Sequence, residues 1–210
     1  MPPLPATEGQ PRSGERAPAE VIPITSDPDR DVLERHHGGD RAAFAQLMKN
    51  YANPIYGYMT RSGVAPGDRD DLFQEVFCKV HQASKTKMPT GPVRPWMFRI
   101  AVNTVRDHFR RKKVRAVVTL DAEPAKDESA PDSPQASAEA KETARFLEEE
   151  IQKLPLAQRE ALLLSSVAGL GIRDAASVLG EPAETVKTRL RRARAALARA
   201  MSRRTEREAT

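Results

Sequence analysis

Two stretches of the sequence carry residue types that could grip a polyanion. Between Arg94 and Arg115 stand eight basic residues (Arg94, Arg99, Arg106, Arg110, Arg111, Lys112, Lys113 and Arg115) against the single acid Asp107. Between Lys187 and Arg204 stand eight more and no acid. Clusters of one sign hold phosphates by charge, and two of them imply two contact places. Within the first, Arg99, Asn103, Arg106 and Arg110 fall at i, i+4, i+7 and i+11, so a helix would present them as one stripe. Trp96 precedes that stripe by a turn. Arginines track phosphates, an aromatic face takes an unstacked base and an amide reads a base edge, so the set suits single-stranded DNA. The alternative gives Trp96 to the core, where most tryptophans go.

In the second stretch, Val186, Leu190, Ala193 and Leu197 recur at steps of four, three and four and define a buried face. Thr188, Arg191 and Arg192 lie opposite, with Lys187 to one side; these types read base edges and hold phosphates. Arg189 and Arg194 lie nearer the flanks. Just upstream, Ala176, Gly180 and Val186 have the spacing of a helix-turn-helix: a small residue for close approach, a glycine for the turn, an apolar residue packing the second helix back. A solvated basic helix would share the charge, but not that triplet.

Other chemistry finds little support. His36, His37, His81 and His108 show no metal-ligand spacing with acids, and neither a glycine-rich phosphate loop nor a Ser/His/Asp set is present. We therefore expect no enzyme activity, no metal and no cofactor. Cys78 is the only cysteine, which excludes an intrachain disulfide and a cysteine-built metal site. No run approaches the roughly 20 apolar residues of a membrane span, and Met1 to Glu20 has no signal-like apolar core. A soluble, cytoplasmic protein without membrane insertion is expected.

The elements that must position these residues read as helices throughout, giving an all-α fold of two small domains. Hydrophobic residues make up 39% of the chain, with 30% charged and 17 prolines, too polar for one packed globule. Residues 1–28 read as a disordered tail. A first domain over 29–116 begins with Phe44, Leu47, Met48, Tyr51, Ile55 and Tyr58 at helical steps, with a kink expected at Asn53-Pro54. After a turn over Ser62–Asp68, with Asp68 or Asp70 as N-cap, Leu72, Phe73, Val76, Phe77 and Val80 form an amphipathic stripe. Asp71, Gln74, Glu75 and Lys79 occupy the other face, in themselves an ordinary solvated set. A proline-rich loop from Ser84 to Pro95 leads to a third helix, Pro95 to Lys113. Residues 117–143 read as a flexible acidic linker, and 144–203 as a second domain. Its last two helices are expected over Ile172–Leu179 and from Pro182 to about Met201, with 204–210 a disordered tail.

With those residues in place, the chain resembles the extracytoplasmic-function sigma factors of the sigma-70 family. Asp71-Leu72-Phe73-Gln74-Glu75-Val76-Phe77 resembles the D-L-x-Q-E-x-F of region 2.2. Arg94 to Thr104, then Asp107 and Arg110-Arg111, resembles regions 2.3 and 2.4. Leu154-Pro155 with Gln158-Arg159-Glu160 resembles the start of region 4, and Thr185 to Arg194 its recognition helix. The resemblance implies a protein that binds core RNA polymerase through its β′ and β subunits. Docking would fall to Asp71, Gln74 and Glu75. It implies capture of the melted −10 element near Trp96, Arg99, Asn103, Arg106 and Arg110, with the loop before Trp96 cradling a flipped base. It implies reading of the −35 duplex by Lys187, Thr188, Arg191 and Arg192, and control by an anti-sigma factor. Three departures touch promoter choice: Glu184 where the family often has glycine, the Gly169–Arg173 segment, and the prolines of Lys85–Pro92. A helix-turn-helix regulator that never binds polymerase is the rival reading; the absence of an α/β receiver-like pattern counts against it.

Overall fold

The computed structural model describes residues 27–118 and 138–208. Most of the expected N-terminal tail and of the expected linker lies outside these residues, whereas residues 204–208 of the expected C-terminal tail are helical. All eight elements are helices: α1 (Pro28–His37), α2 (Arg41–Ser62), α3 (Pro66–Thr86), α4 (Val93–Val118), α5 (Ala138–Lys153), α6 (Leu156–Ser166), α7 (Ile172–Leu179) and α8 (Ala183–Glu208). No strand occurs among the described residues.

Local chemistry sets the helix ends, and in places it moves them from the expected positions. The α2 helix opens on Asp40, whose carboxylate accepts the N–H groups of Ala42 and Ala43 at 2.8 and 3.2 Å. It passes through Pro54 and ends only at Ser62. Tyr51, Ile55, Tyr58 and Met59 are buried on both sides of the proline, so packing holds the two halves as one helix. The α3 helix starts at Pro66 rather than on an Asp68 or Asp70 cap. A proline at the first helical position has no N–H to leave unpaired, and Asp68 sits in the first turn, facing the positive helix end. The α4 helix begins two residues before Pro95, whose missing N–H falls among the unpaired groups of the first turn. It reaches Val118, and α8 reaches Glu208, beyond the expected ends at Lys113 and Met201. The α5 helix begins at Ala138, inside the segment read as linker.

Helices α1–α4 enclose Leu33, Leu47, Ile55, Val76, Val80, Met97, Phe98 and Ala101. Helices α5–α8 make the second domain. There α7 and α8 form the helix-turn-helix: Ala176 and Val186 are buried, and Gly180 takes a φ of +69° at the turn, a value that favours glycine.

The two domains do not stand apart. Ala161, Leu163, Leu164, Ala168 and Leu170 join the core of the first domain in one continuous apolar cluster. Only Leu154, Leu162, Leu190 and Ala193 form a separate cluster under α8. Gly57 of α2 lies close against this contact: a Cβ there would stand 3.2 Å from Val167 Cγ1 and from Arg61 Nη1. Around the apolar contact runs a polar rim. Arg61 pairs with Glu148 at 3.4 Å. Gln152 donates to the Arg61 carbonyl at 3.0 Å, and Arg159 to the Ser62 carbonyl at 3.2 Å.

Candidate nucleic-acid interface

The α8 surface matches its expected outline. Val186, Leu190 and Ala193 are buried and Leu197 half-buried, packed under α6. Lys187, Arg191 and Arg192 are exposed and Thr188 half-buried on the outer side. Glu184 pairs with Lys187 at 3.5 Å, so the acid noted beside this face engages one of its cations. Arg189 and Arg194, at the flanks of that face, are engaged within the domain. Arg189 pairs with Glu181 at 3.2 Å, and Arg194 donates to Ser165 Oγ at 3.4 Å.

The α4 stripe is helical and continuous, but it is not open. Asn103 and Arg110 are exposed, Arg110 pairing with Asp107 at 3.1 Å. Arg99 donates to the Ser177 carbonyl of α7 and, at 3.0 Å, to its Oγ. Arg106 grips Glu160 of α6 with two parallel bonds of 2.6 and 2.8 Å. Such fork-to-fork pairing is the strong form of a guanidinium–carboxylate contact. The bonds from Glu160 hold Arg106 above its ordinary pKa, against the opposing effect of burial. Glu160 is itself only 5% exposed, and together with burial it pushes the Tyr58 phenol up. Arg94 adds a third link, donating to the Ala168 carbonyl at 2.6 Å while lying over the rings of Tyr51 and Phe98. Two of the five expected −10 residues thus serve the domain contact in this state.

Beside the stripe lies a cavity of about 790 Å³. Lys87 and Thr90 of the proline-rich loop, Trp96 and Arg99 of α4, and Asp174 and Ser177 of α7 line it. Trp96 combines both expected environments: half-buried, packed on the core and facing the cavity.

On α3, Asp71 and Gln74 are exposed, but Glu75 is not an open solvated residue. It binds Lys79 at 2.8 Å and Arg111 of α4 at 3.0 Å. Burial pushes its carboxyl up, and the two cations outweigh that and hold it below the usual range. Cys78 is exposed one turn further along the same face as Gln74.

Contacts between the domains were not expected from the sequence. Arg94, Gln152, Arg159 and Glu160 make them. His36 and His81 meet at 3.0 Å between ring nitrogens, although no group of three or more potential metal ligands occurs among the described residues. The one available signal was Glu160. It lies three and four residues before Leu163 and Leu164, on an apolar face where an acid needs a partner.

A helix-turn-helix with an open basic face, beside a helical domain carrying an arginine stripe and an aromatic-walled cavity, defines a two-part helical DNA-binding protein. The Sigma-70 region 2 family model matches residues 47–115 and the Sigma-70, region 4 model residues 147–197. The chain is 32% identical over 172 residues to the ECF RNA polymerase sigma factor SigM of Mycobacterium tuberculosis, covering 81% of this chain and 83% of that one. It is 31% identical over 185 residues to the RNA polymerase sigma-H factor of Pseudomonas aeruginosa, covering 85% and 96%. Among solved structures it resembles CnrH in complex with the cytosolic domain of CnrY (TM-score 0.63, 25% identity, 83% and 97% covered). It also shares the fold of RpoE in complex with the anti-sigma factor NepR from Bartonella quintana (TM-score 0.66, 19% identity, 76% and 96% covered). The chain belongs to the extracytoplasmic-function sigma factors of the sigma-70 family. As a sigma factor it binds core RNA polymerase and promoter DNA and directs transcription initiation. No described helix is long and apolar enough to cross a membrane.

Proposed function

We propose that this sigma factor divides promoter recognition between its two basic surfaces, and that the described arrangement is its closed, resting form. Residues 29–116 serve as the polymerase- and −10-binding unit and 144–203 as the −35-binding unit. Asp71 and Gln74, with Glu75 set behind them by Lys79 and Arg111, offer the polymerase docking face. Lys187, Thr188, Arg191 and Arg192 enter the major groove of the −35 duplex. Trp96, Arg99, Asn103, Arg106 and Arg110 take the displaced −10 strand once the domains part. The protein acts by binding and positioning alone, in the cytoplasm, without catalysis or cofactor. The observation that carries this reading is the unequal availability of the two surfaces: the α8 face is open, while Arg99 and Arg106 are committed to α7 and α6.

Both solved relatives named above are in complex with another protein, NepR being termed an anti-sigma factor. We assign this chain a partner of that kind, one that binds the closed form. Footprinting of the −35 region beside permanganate reactivity of unpaired thymines tests the division of labour. Arg192→Ala should weaken closed-complex formation by ~1–3 kcal/mol, the worth of a base-edge contact. Asn103→Ala should spare that footprint and impair opening. Loss of the −35 footprint in Asn103→Ala, with normal binding to a pre-opened template, would overturn the assignment. Run-off transcription with added core separates a sigma factor from a regulator that needs another sigma.

A further inference from the structure

The loop between α3 and α4 forms one wall of the 790 Å³ cavity, and α1 holds that loop from behind. Arg30 projects from the first turn of α1, and its Nη2 donates to the Gly91 carbonyl at 2.6 Å and to the Pro89 carbonyl at 3.3 Å. One turn earlier, a single carboxylate caps two helices. Asp27 Oδ1 accepts the Asp29 N–H at 3.2 Å at the start of α1, and Oδ2 accepts the Val93 N–H at 2.8 Å at the start of α4. The loop is therefore fixed at its entry, where the Lys87 N–H reaches the Ala83 carbonyl at 3.0 Å. It is fixed at its exit by Asp27 and across its middle by Arg30. Pro89 and Pro92 have no N–H, so they cannot donate to a partner across the loop. Arg30 takes the carbonyls of Pro89 and Gly91 on either side of Thr90, and a guanidinium on both holds the path of the chain there.

We propose that Arg30 and Asp27 are positioning residues for base selection: they set the shape of the cavity wall that reads one unstacked base of the −10 strand. This rests on the reading above, in which Trp96 and its neighbours take the −10 strand once the domains part; the cavity beside Trp96, freed of Asp174 and Ser177 of α7, then takes one base of that strand. Neither residue touches the base; they act through the backbone of 89–93. A shaped wall discriminates between bases because a misfit base leaves cavity groups unpaired. A loose wall accepts several bases with similar affinity. Arg30 lies at the surface with a third of its side chain exposed, and its other contact is a long 3.9 Å pairing with Glu34. Its removal should therefore leave the helical core intact.

The test uses holoenzyme reconstituted from core polymerase and the full chain, on templates pre-opened at −10 that carry each of the four bases at each position in turn. Arg30→Ala should lower discrimination at one −10 position by about tenfold, the size of one base-edge contact. The other positions, core co-purification and the −35 footprint should stay unchanged. Arg30→Lys, which keeps a donor for the two carbonyls, should recover most of the discrimination. Thr90→Trp, which fills the cavity from the loop, serves as the control. If Thr90→Trp erases discrimination and Arg30→Ala leaves it at the wild-type level, the clamp is wrong and the cavity assignment stands. If Thr90→Trp leaves discrimination untouched, the cavity takes no base and both fall. A uniform loss across all positions in Arg30→Ala, together with core binding, would reduce Arg30 to a support of the fold and overturn the proposal.

Discussion

Glu160→Gln should open the molecule. The side chain keeps its size and one acceptor but loses the charge that holds Arg106 by two bonds of 2.6 and 2.8 Å. Removing one partner of a fully buried ion pair costs ~3–5 kcal/mol, whereas exposed pairs are worth about 0–1 kcal/mol. This pair lies between those limits: the Glu160 side chain is 7% exposed and that of Arg106 33%. Water reaches the guanidinium, and glutamine retains part of the contact, so ~1–3 kcal/mol of closure should be lost. Once the domains part, both groups meet water, and the substitution costs little there. The whole loss therefore falls on the closed state, and the closed-to-open ratio should drop roughly 5- to 150-fold.

The assay is intramolecular energy transfer between a dye on Cys78, exposed on α3, and a second on Ser202→Cys, exposed on α8. Glu160→Gln should populate a low-transfer state that the parent chain lacks. Arg106→Ala breaks the same pair from the other side and should open the molecule as well. The two variants then part company on DNA. Glu160→Gln should bind −10 single strand more tightly than the parent because it frees Arg106, while Arg106→Ala should bind it more weakly because it has no guanidinium to offer. Unchanged transfer in both variants would refute the latch. Opening in both, with equal effects on single-strand affinity, would refute the double use of Arg106.

Gly57→Leu should open the domains by a different route, wedging a side chain where a Cβ alone would meet Val167 Cγ1 at 3.2 Å; it should reproduce the low-transfer state with every ion-pairing residue still in the chain. A bulky maleimide on Cys78, one turn from Gln74, should block co-purification with core polymerase and leave binding of −35 duplex by α8 unaltered; retained core binding would move the docking face elsewhere. Acid should destabilise the fold: burial, then His81, Lys85 and His37, hold His36 below its ordinary value of 6.5, outweighing the Asp40 backbone contact, and burial does the same to His108. The folded chain then binds fewer protons than the unfolded one, so stability falls as pH drops from about 6.5 toward the folded values, and a Tm that stays flat down to pH of about 5.5 would count against this.

Periodicity carried most of the architecture. The stripes of α3 and α8, the Ala176–Gly180–Val186 turn and the arginine row of α4 all follow from helical geometry, and geometry of that kind is local. Helix starts were less legible because two signals competed: Asp68 and Asp70 look like caps, yet Pro66 satisfies the first turn earlier. The closure of one domain on the other was legible least. Its contacts join Arg106 to Glu160 and Arg94 to the Ala168 carbonyl across more than fifty residues, and half of them use backbone carbonyls, which have no sequence signature. Most of the acidic segment 117–143 lies outside the described residues; the described contacts between the domains run through α5, α6 and α7. The same row of arginines that reads as a DNA surface also suits a carboxylate, and spacing alone cannot tell which anion comes first.

That ambiguity has a mechanistic use. Arg99 and Arg106 can satisfy α7 and α6 or a DNA strand, but not both, so closure and strand capture compete for the same guanidinium groups. Charge alone would make the competition shallow, since salt screens exposed pairs. The apolar part of the contact makes it steeper. The apolar cluster runs unbroken from the first domain into the second through residues that include Ala161, Leu163, Leu164 and Ala168, and water gives no return for the part of it that opening exposes. A DNA strand supplies phosphates for the arginines and nothing for the exposed apolar surface. The open form therefore needs a protein that holds the two domains at separate places, which core polymerase would offer under the proposed docking on Asp71, Gln74 and Glu75 of α3, with α8 at a distant promoter element. On this account promoter melting follows polymerase binding in order because the surfaces for the melted strand stay occupied until the polymerase has replaced the contacts between the domains.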